Sequence, residues 1–183
     1  MGGFLDEIML FDLPYVFRDY DHAHQFLDSE YGSTLANQIF EQTNVKVLAW
    51  MENGFRYQTH STIAVETPED LRGTDHRTQE SQVQIDTWQA LGANATPMAW
   101  NEVYSALQQG VIDSQENPIP TIYDMGFSDI QGYVNMTQHV YSPAPLLMSG
   151  TLFESFNQED QTHILAAAET ATRCSARRER ETD

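Results

Sequence analysis

The sequence predicts an α/β fold, because segments with helical and with strand periodicity alternate along the chain. The helical pattern is clearest over residues 19–40, where apolar side chains recur three or four positions apart. The strand pattern is clearest over residues 45–50, a β-branched and apolar run. A chain of 183 residues, 40% of them hydrophobic, is long enough to build a core in one domain or in two small lobes.

Capping and turn residues predict the individual elements in chain order. Residues 19–40 are helical, with apolar positions on either side of Gly32, and a turn at Asn53-Gly54 follows the first strand. A short helix begins at Thr67-Pro68 and stops at Gly73. Later helices are predicted over residues 81–91, over residues 101–109 with Asn101 as N-cap, and from Asn157 onward. A strand is predicted over residues 111–112, and strands or connections over residues 133–141 and 146–149.

The charge balance excludes several classes of partner. The chain has 9 lysines and arginines against 27 acidic residues, a formal net charge of −18. We therefore expect no nucleic-acid partner, since that function needs a basic face against the phosphates, and no binding to anionic lipid. Two interpretations of the acidity stay open: adaptation to a salty environment, or simple solubility outside the cytoplasm.

Other features restrict the chemistry further. No apolar run approaches the length of a membrane span, so we expect no direct membrane insertion. A lone cysteine, Cys174, excludes an internal disulfide. Phosphate-binding loops, nucleophile elbows and dinucleotide fingerprints are missing from the sequence, so we expect no cofactor and no enzyme. The alternative is a small metal-dependent hydrolase using His22 and His24, although residues two apart on a helix point to different faces.

Several segments together carry a resemblance to a known family. They are Phe11-Asp12-Leu13-Pro14-Tyr15-Val16-Phe17-Arg18-Asp19, Asn53-Gly54-Phe55-Arg56, Thr67-Pro68-Glu69-Asp70-Leu71-Arg72-Gly73 with Arg77, Ala95-Thr96-Pro97-Met98-Ala99-Trp100-Asn101-Glu102, Ala106-Leu107-Gln108-Gln109-Gly110-Val111-Ile112-Asp113-Ser114-Gln115-Glu116-Asn117-Pro118, and His139-Val140-Tyr141-Ser142-Pro143. In this order and spacing they resemble the solute-binding proteins of tripartite ATP-independent periplasmic (TRAP) transporters, of the C4-dicarboxylate-binding type. The resemblance runs from about residue 10 to about residue 170.

The resemblance implies a two-lobed fold of the periplasmic-binding-protein kind (type II-like), with the first lobe incomplete. It places residues 1–54 in a partial first lobe, 55–142 in the second lobe and 143–172 back in the first. Residues 173–183 form a compositionally atypical tail. Compared with the family, the chain looks truncated at both ends, so a non-functional fragment of a binding protein is a further alternative.

The resemblance also implies a function and a site. Such a protein sits in the periplasm, captures a small organic anion, here a carboxylate, and delivers it to the membrane subunits of a TRAP transporter. Carried over residue by residue, Arg77 grips the carboxylate and Arg56 lies beside it. Asn117 contacts the ligand, Trp100 packs on its body, and His139 belongs to the supporting polar network.

Each of these residues also has a purely structural alternative. The arginines could be surface cations or cover a strand edge, Asn117 could be a turn residue, Trp100 a core aromatic and His139 a structural histidine. The sequence departs from the family before Arg77. Residues Gly73-Thr74-Asp75-His76 stand where the family usually has a lysine and an apolar strand position.

Overall fold

The computed structural model describes the backbone of residues 6–182 and the side chains of residues 6–175. Its chain forms two compact units. Unit 1 contains the chain up to Phe11, Phe17–Gly54 and the chain from Tyr141 onward, and unit 2 contains Asp12–Val16 and Phe55–Val140. The lobe boundaries expected from the resemblance stay a prediction.

Helices and strands alternate along the described chain, as predicted for an α/β protein. In chain order they are a 3-10 helix at Asp6–Asp12, α1 (Tyr20–Leu27), α2 (Glu30–Thr43), β1 (Val45–His60), a 3-10 helix at Pro68–Leu71, β2 (Asp75–Thr78), α3 (Gln82–Ala90), β3 (Asn94–Pro97), α4 (Trp100–Gln108), β4 (Ser114–Asn117), α5 (Ile119–Asp124), a 3-10 helix at Phe127–Asp129, β5 (Tyr133–Ser149), α6 (Gly150–Ser155) and α7 (Gln158–Thr182).

In unit 1, the segment predicted to be helical over residues 19–40 forms two helices, α1 and α2, with a break at residues 28–29. Ser29 starts α2 as its N-cap, and its side-chain oxygen accepts a hydrogen bond from Tyr31 N at 3.1 Å. Gly32 lies so close to the preceding turn that a Cβ there would sit 2.0 Å from the carbonyl oxygen of Leu27. Glycine is therefore required at this position by the approach of the two backbones.

The other end of unit 1 is helical. Asn157 caps α7 as predicted, since its Oδ1 accepts a hydrogen bond from Asp160 N at 2.9 Å. The helix runs on through residues 173–182, which include most of the predicted atypical tail. Within the described residues, none of the helices is both long and apolar enough to cross a membrane.

The five strands form one sheet in the order β3-β2-β4-β1-β5. β2 runs parallel to β3 and β4, and β4 runs antiparallel to β1. His76, Ser114 and His60 are neighbours in this register, one on each of the three central strands. Paired residues of adjacent strands point to the same face, so these three side chains share one face of the sheet in unit 2.

Three of the predicted strand limits are wrong. β1 continues through the predicted turn at Asn53-Gly54, because Gly54 takes a φ of 101° inside the strand and lets the chain go on. The predicted strand over 111–112 is a bend followed by an irregular residue, and the strand forms instead over the polar residues of β4. The two segments predicted at 133–141 and 146–149 are one strand, whose prolines are tolerated because β5 lies at the sheet edge.

Helix α4 also begins earlier than predicted. Its N-cap is Ala99 rather than Asn101, so Trp100 is the first helical residue. The polar segment before Arg77 forms β2 despite its departure from the family pattern, and His76, Arg77 and Thr78 are buried in it. Hydrogen bonds satisfy these side chains only in part. His76 Nδ1 bonds to the Ser114 hydroxyl and Arg77 to the Met98 carbonyl, whereas His76 Nε2 and Thr78 Oγ1 have no hydrogen-bond partner among the described residues.

Candidate functional site

All five residues of the predicted site lie in unit 2. Arg56 is on β1, Arg77 on β2, Asn117 at the end of β4, Trp100 at the start of α4 and His139 on β5. The four strand residues therefore belong to one sheet, in which β2, β4, β1 and β5 are successive neighbours. Arg56, Arg77, Asn117 and His139 are buried and Trp100 is 41% exposed.

Arg56 is held by an internal carboxylate. Its Nε and Nη2 both donate to the side chain of Glu116, the second of these bonds at 2.8 Å, and Nη2 also donates to the backbone oxygen of Glu116 at 2.9 Å. The same Nη2 donates to Asn117 Oδ1 at 3.0 Å. A bidentate arginine–carboxylate pair of this kind is stronger than a neutral hydrogen bond and fixes the orientation of both groups.

His139 completes a cluster around Glu116. Its Nε2 lies 3.4 Å from Glu116 Oε2, and its Nδ1 lies 2.8 Å from the hydroxyl of Thr137. Burial alone would raise the pKa of Glu116, but the charge of Arg56 and the hydrogen bonds from His139 and Arg56 hold it well below the usual range. Glu116 is therefore an anion at neutral pH, and its charge is balanced by Arg56.

Arg77 has a different environment. Its Nε and Nη2 donate to one backbone carbonyl, that of Met98, at 3.1 and 2.9 Å, and its guanidinium carbon lies 5.7 Å from the centre of the Trp100 ring. Among the described residues, no carboxylate lies within 4.0 Å of its nitrogens, the distance of an ion pair. Burial lowers the pKa of Arg77, Glu116 raises it and Arg56 lowers it, yet a guanidinium stays charged in proteins.

The neighbouring histidine His76 adds no charge. Burial lowers its pKa to about 3, so the imidazole is neutral at pH 7. Its Nδ1 lies 2.8 Å from the hydroxyl of Ser114, and its ring stacks on Trp88 with the ring centres 3.7 Å apart. Arg77, Arg56 and Glu116 are therefore the buried charges of this region, and together they leave a net positive charge.

A chain of buried amides and hydroxyls extends from Asn117 across the sheet. Asn117 Nδ2 donates to Gln115 Oε1, and Gln115 Nε2 donates to Thr59 Oγ1 at 2.9 Å. Thr59 Oγ1 donates to Gln131 Oε1 at 2.9 Å, and Gln131 Nε2 donates to Ser61 Oγ at 2.8 Å. Because each side chain is held by the next, the Asn117 amide has a fixed orientation.

The sequence interpretation gave no role to Glu116 or to this polar chain. Glu116 was part of the motif at residues 115–118, but its pairing with Arg56, 60 positions earlier, depends on the antiparallel register of β1 and β4. One signal was available in the sequence. Three consecutive polar residues before Pro118 form a strand only if their side chains find partners inside the protein.

Trp100 is not a core residue, because 41% of its surface is exposed. It stands edge-on to the buried ring of Phe127, with the ring centres 5.7 Å apart. One side of the indole is therefore fixed by packing, while the cation of Arg77 lies near its ring.

The histidines of the hydrolase alternative have separate partners. His22 Nδ1 accepts a hydrogen bond from Arg18 N at 3.4 Å, whereas His24 Nε2 is paired with Glu52. Over the part of the chain that the structure describes, no three His, Cys, Asp or Glu side chains are grouped so that they could hold a metal ion.

Known proteins similar to this chain are solute-binding proteins. A solute-binding protein of Verminephrobacter eiseniae is 41% identical over 99% of this chain and 54% of its own length. The 2,3-diketo-L-gulonate-binding periplasmic protein of Escherichia coli is 38% identical over 93% of this chain and 52% of its own. A TRAP periplasmic solute-binding protein of Polaromonas, solved with D-erythronate, has a TM-score of 0.94 and 38% identity over 99% of this chain and 59% of its own.

These similarities confirm the expected fold class and support the solute-binding interpretation rather than the hydrolase alternative. The chain spans about half the length of the curated relatives it matches. A family model described as bacterial extracellular solute-binding protein, family 7, matches residues 1–183, and the chain belongs to this family.

Proposed function

We propose that this chain recognises the carboxylate of a small organic acid, as part of an extracytoplasmic solute-binding protein that serves a TRAP-type secondary transporter. The proposal puts the protein in the periplasm and makes the membrane subunits of the transporter its partners. The family to which the chain belongs and the similar solute-binding proteins support this assignment.

One observation carries the proposal: Arg77 is a buried cation with no carboxylate partner among the described residues. Burying a charge without a counter-charge costs roughly several kcal/mol. Proteins therefore rarely contain such a buried charge unless a ligand neutralises it. The adjacent charges of Arg56 and Glu116 cancel, which leaves Arg77 to attract an anion. A planar guanidinium suits a carboxylate in particular, because its parallel N–H groups match the two oxygens.

The other four residues support this role of Arg77 in different ways. Asn117, held by Arg56 and Gln115, offers a fixed amide next to the charge. Trp100 supplies an exposed aromatic surface for the body of the ligand. Arg56 and His139 act through Glu116, whose carboxylate they hold in place. Contact between each of these residues and the ligand remains part of the proposal.

The ligand class follows from the site and from the similar proteins. The names of two of them specify 2,3-diketo-L-gulonate and D-erythronate, both hydroxylated carboxylic acids. Buried arginine and asparagine side chains on neighbouring strands of one sheet suit such a molecule, because its carboxylate needs a cation and its hydroxyls need polar partners. We therefore propose a sugar acid as the ligand.

The experiment compares an acid with its uncharged analogue. Tryptophan fluorescence of the chain is titrated with D-erythronate and with erythritol, which has the same carbon skeleton and no carboxylate. We expect a saturable change with the acid alone. Arg77→Ala should abolish it, whereas Arg72→Ala, which removes an exposed arginine of the same unit, should keep it. Equal responses to the two compounds, or binding retained in Arg77→Ala, would contradict the proposal.

A further inference from the structure

Unit 2 contains a cavity of about 790 Å³ that includes none of the four residues Arg56, Arg77, Trp100 and Asn117. It is bounded by Pro14-Tyr15, by residues 65–68 with Leu71, by one side of α3 and by Met136, Thr137 and His139 of β5. Its volume is within the range of sites that hold small molecules. We propose that this cavity is a second binding site, which takes a small uncharged molecule with an aromatic ring.

The walls of the cavity favour an apolar occupant. Most of the lining side chains are aliphatic or aromatic, and two of these, Leu71 and Trp88, are buried. Trp88 is fixed from two directions, because it stacks on His76 and stands edge-on to His139 with ring centres 5.2 Å apart. Trp88 is therefore a rigid, buried apolar part of the wall, and the exposed ring of Tyr15 is the aromatic surface that an occupant meets.

The charges of the lining exclude an anion. Glu66 is the one charged residue among the lining residues, and no lysine or arginine is among them. An acid that binds at Arg77 would meet a carboxylate here and no cation, which is unfavourable in a partly desolvated site. The polar groups of Thr137 and His139 already bond to each other. The cavity therefore selects against the ligand class that we propose for the first site.

Tyr15 places an aromatic side chain at the cavity although its backbone is strained. Its φ is 58°, a value that is uncommon for a bulky residue, and the side chain is 69% exposed. The conformation is held by a hydrogen bond of 2.7 Å from Tyr15 N to the backbone oxygen of His139. Strain of this kind is frequent at ligand-binding positions, where the surrounding structure fixes the residue.

The test uses two fluorescent probes with the same aromatic body. N-phenyl-1-naphthylamine is uncharged, and 8-anilino-1-naphthalenesulfonate carries an additional sulfonate. Titrated into the full chain, the uncharged probe should bind with one saturable site and at least about tenfold more tightly than the sulfonate. Equal affinity for both probes, or uptake of the uncharged probe without saturation, would overturn the proposal.

Two pairs of variants locate the binding. Ala90→Trp fills the cavity from α3, whereas Gln89→Trp adds the same ring to a neighbouring residue that does not line it. Tyr15→Ala removes the aromatic ring at the cavity, whereas Tyr123→Ala removes one that is 76% exposed and outside the lining. The first variant of each pair should weaken probe binding by at least about tenfold and the second should leave it unchanged.

Because the Tyr15 side chain is mostly exposed, Tyr15→Ala should fold normally. The Tyr15 and Tyr123 variants therefore test the proposal even if Ala90→Trp does not fold. Unchanged binding in Tyr15→Ala, or an equal loss in Tyr123→Ala, would contradict the assignment. These experiments measure probe binding and not sugar-acid binding. A negative result would therefore overturn the second site without affecting the proposed function.

Discussion

Replacement by methionine, a side chain of similar length without charge, should destabilise the protein strongly at Arg56 and not at Arg77. Arg56→Met leaves the carboxylate of Glu116 buried without its partner and removes four hydrogen bonds. Breaking a buried ion pair from one side costs about 3–5 kcal/mol. We expect the free energy of unfolding to fall by that amount, or the variant not to fold.

Arg77→Met has two opposing effects. It removes two hydrogen bonds to the carbonyl of Met98, at a cost of about 1–3 kcal/mol for the polar group left unpaired. It also removes a buried cation that has no carboxylate partner among the described residues, which is favourable by a comparable or larger amount. The net change should therefore be close to zero or stabilising.

Urea denaturation at pH 7 measures both variants against the wild type. The slope of the free energy with urea should be the same in all three, so that the midpoints can be compared directly. If Arg77→Met were destabilised as strongly as Arg56→Met, Arg77 would be a structural residue already satisfied inside the protein. Arg77 would then need no anionic ligand to neutralise it.

Three further predictions concern pH and packing. Because the pKa of Glu116 is held below its unfolded value, the stabilisation by Glu116 is complete above about pH 5 and is lost as the pH falls further. The difference in unfolding free energy between the wild type and Glu116→Gln, measured by urea denaturation, should therefore narrow between about pH 5 and pH 3. A constant difference would contradict this prediction. Burial lowers the pKa of His76 to about 3, so the wild type should lose about 2 kcal/mol from this group between pH 6.5 and pH 5, and His76→Gln should not show that part of the loss in the same assay. Gly32→Ala should destabilise unit 1 by more than about 2 kcal/mol, because its Cβ would overlap the Leu27 carbonyl, whereas Ser33→Ala on the exposed side of α2 should change the thermal midpoint very little; equal effects would show that the close approach is not rigid.

The sequence was a good guide to the fold where apolar periodicity and capping residues were present. The helices α3 and α7 and the cap at Asn157 were predicted correctly, because apolar periodicity and capping hydrogen bonds depend only on nearby residues. The strand β4 was missed for a physical reason. Its side chains are polar and are satisfied by β1 and its neighbours, so hydropathy patterns could not identify it.

The site residues were likewise predicted in part and missed in part. The resemblance named Arg56, Arg77, Asn117, Trp100 and His139, and all five lie in unit 2. It did not name Glu116, although that carboxylate determines which arginine is neutralised and which is not. Pairing between residues 60 positions apart is a property of the strand register, and one sequence without its fold contains no direct record of it.

The most direct test of the account is whether an acid stabilises the protein through Arg77. The unfolding midpoint of the wild type and of Arg77→Met is measured with and without D-erythronate, with erythritol as the uncharged control. A ligand that binds the folded state raises the midpoint as its concentration rises. We predict a rise for the wild type with the acid alone and no change for Arg77→Met. An equal rise in the two proteins would contradict the claim that the Arg77 guanidinium binds the carboxylate.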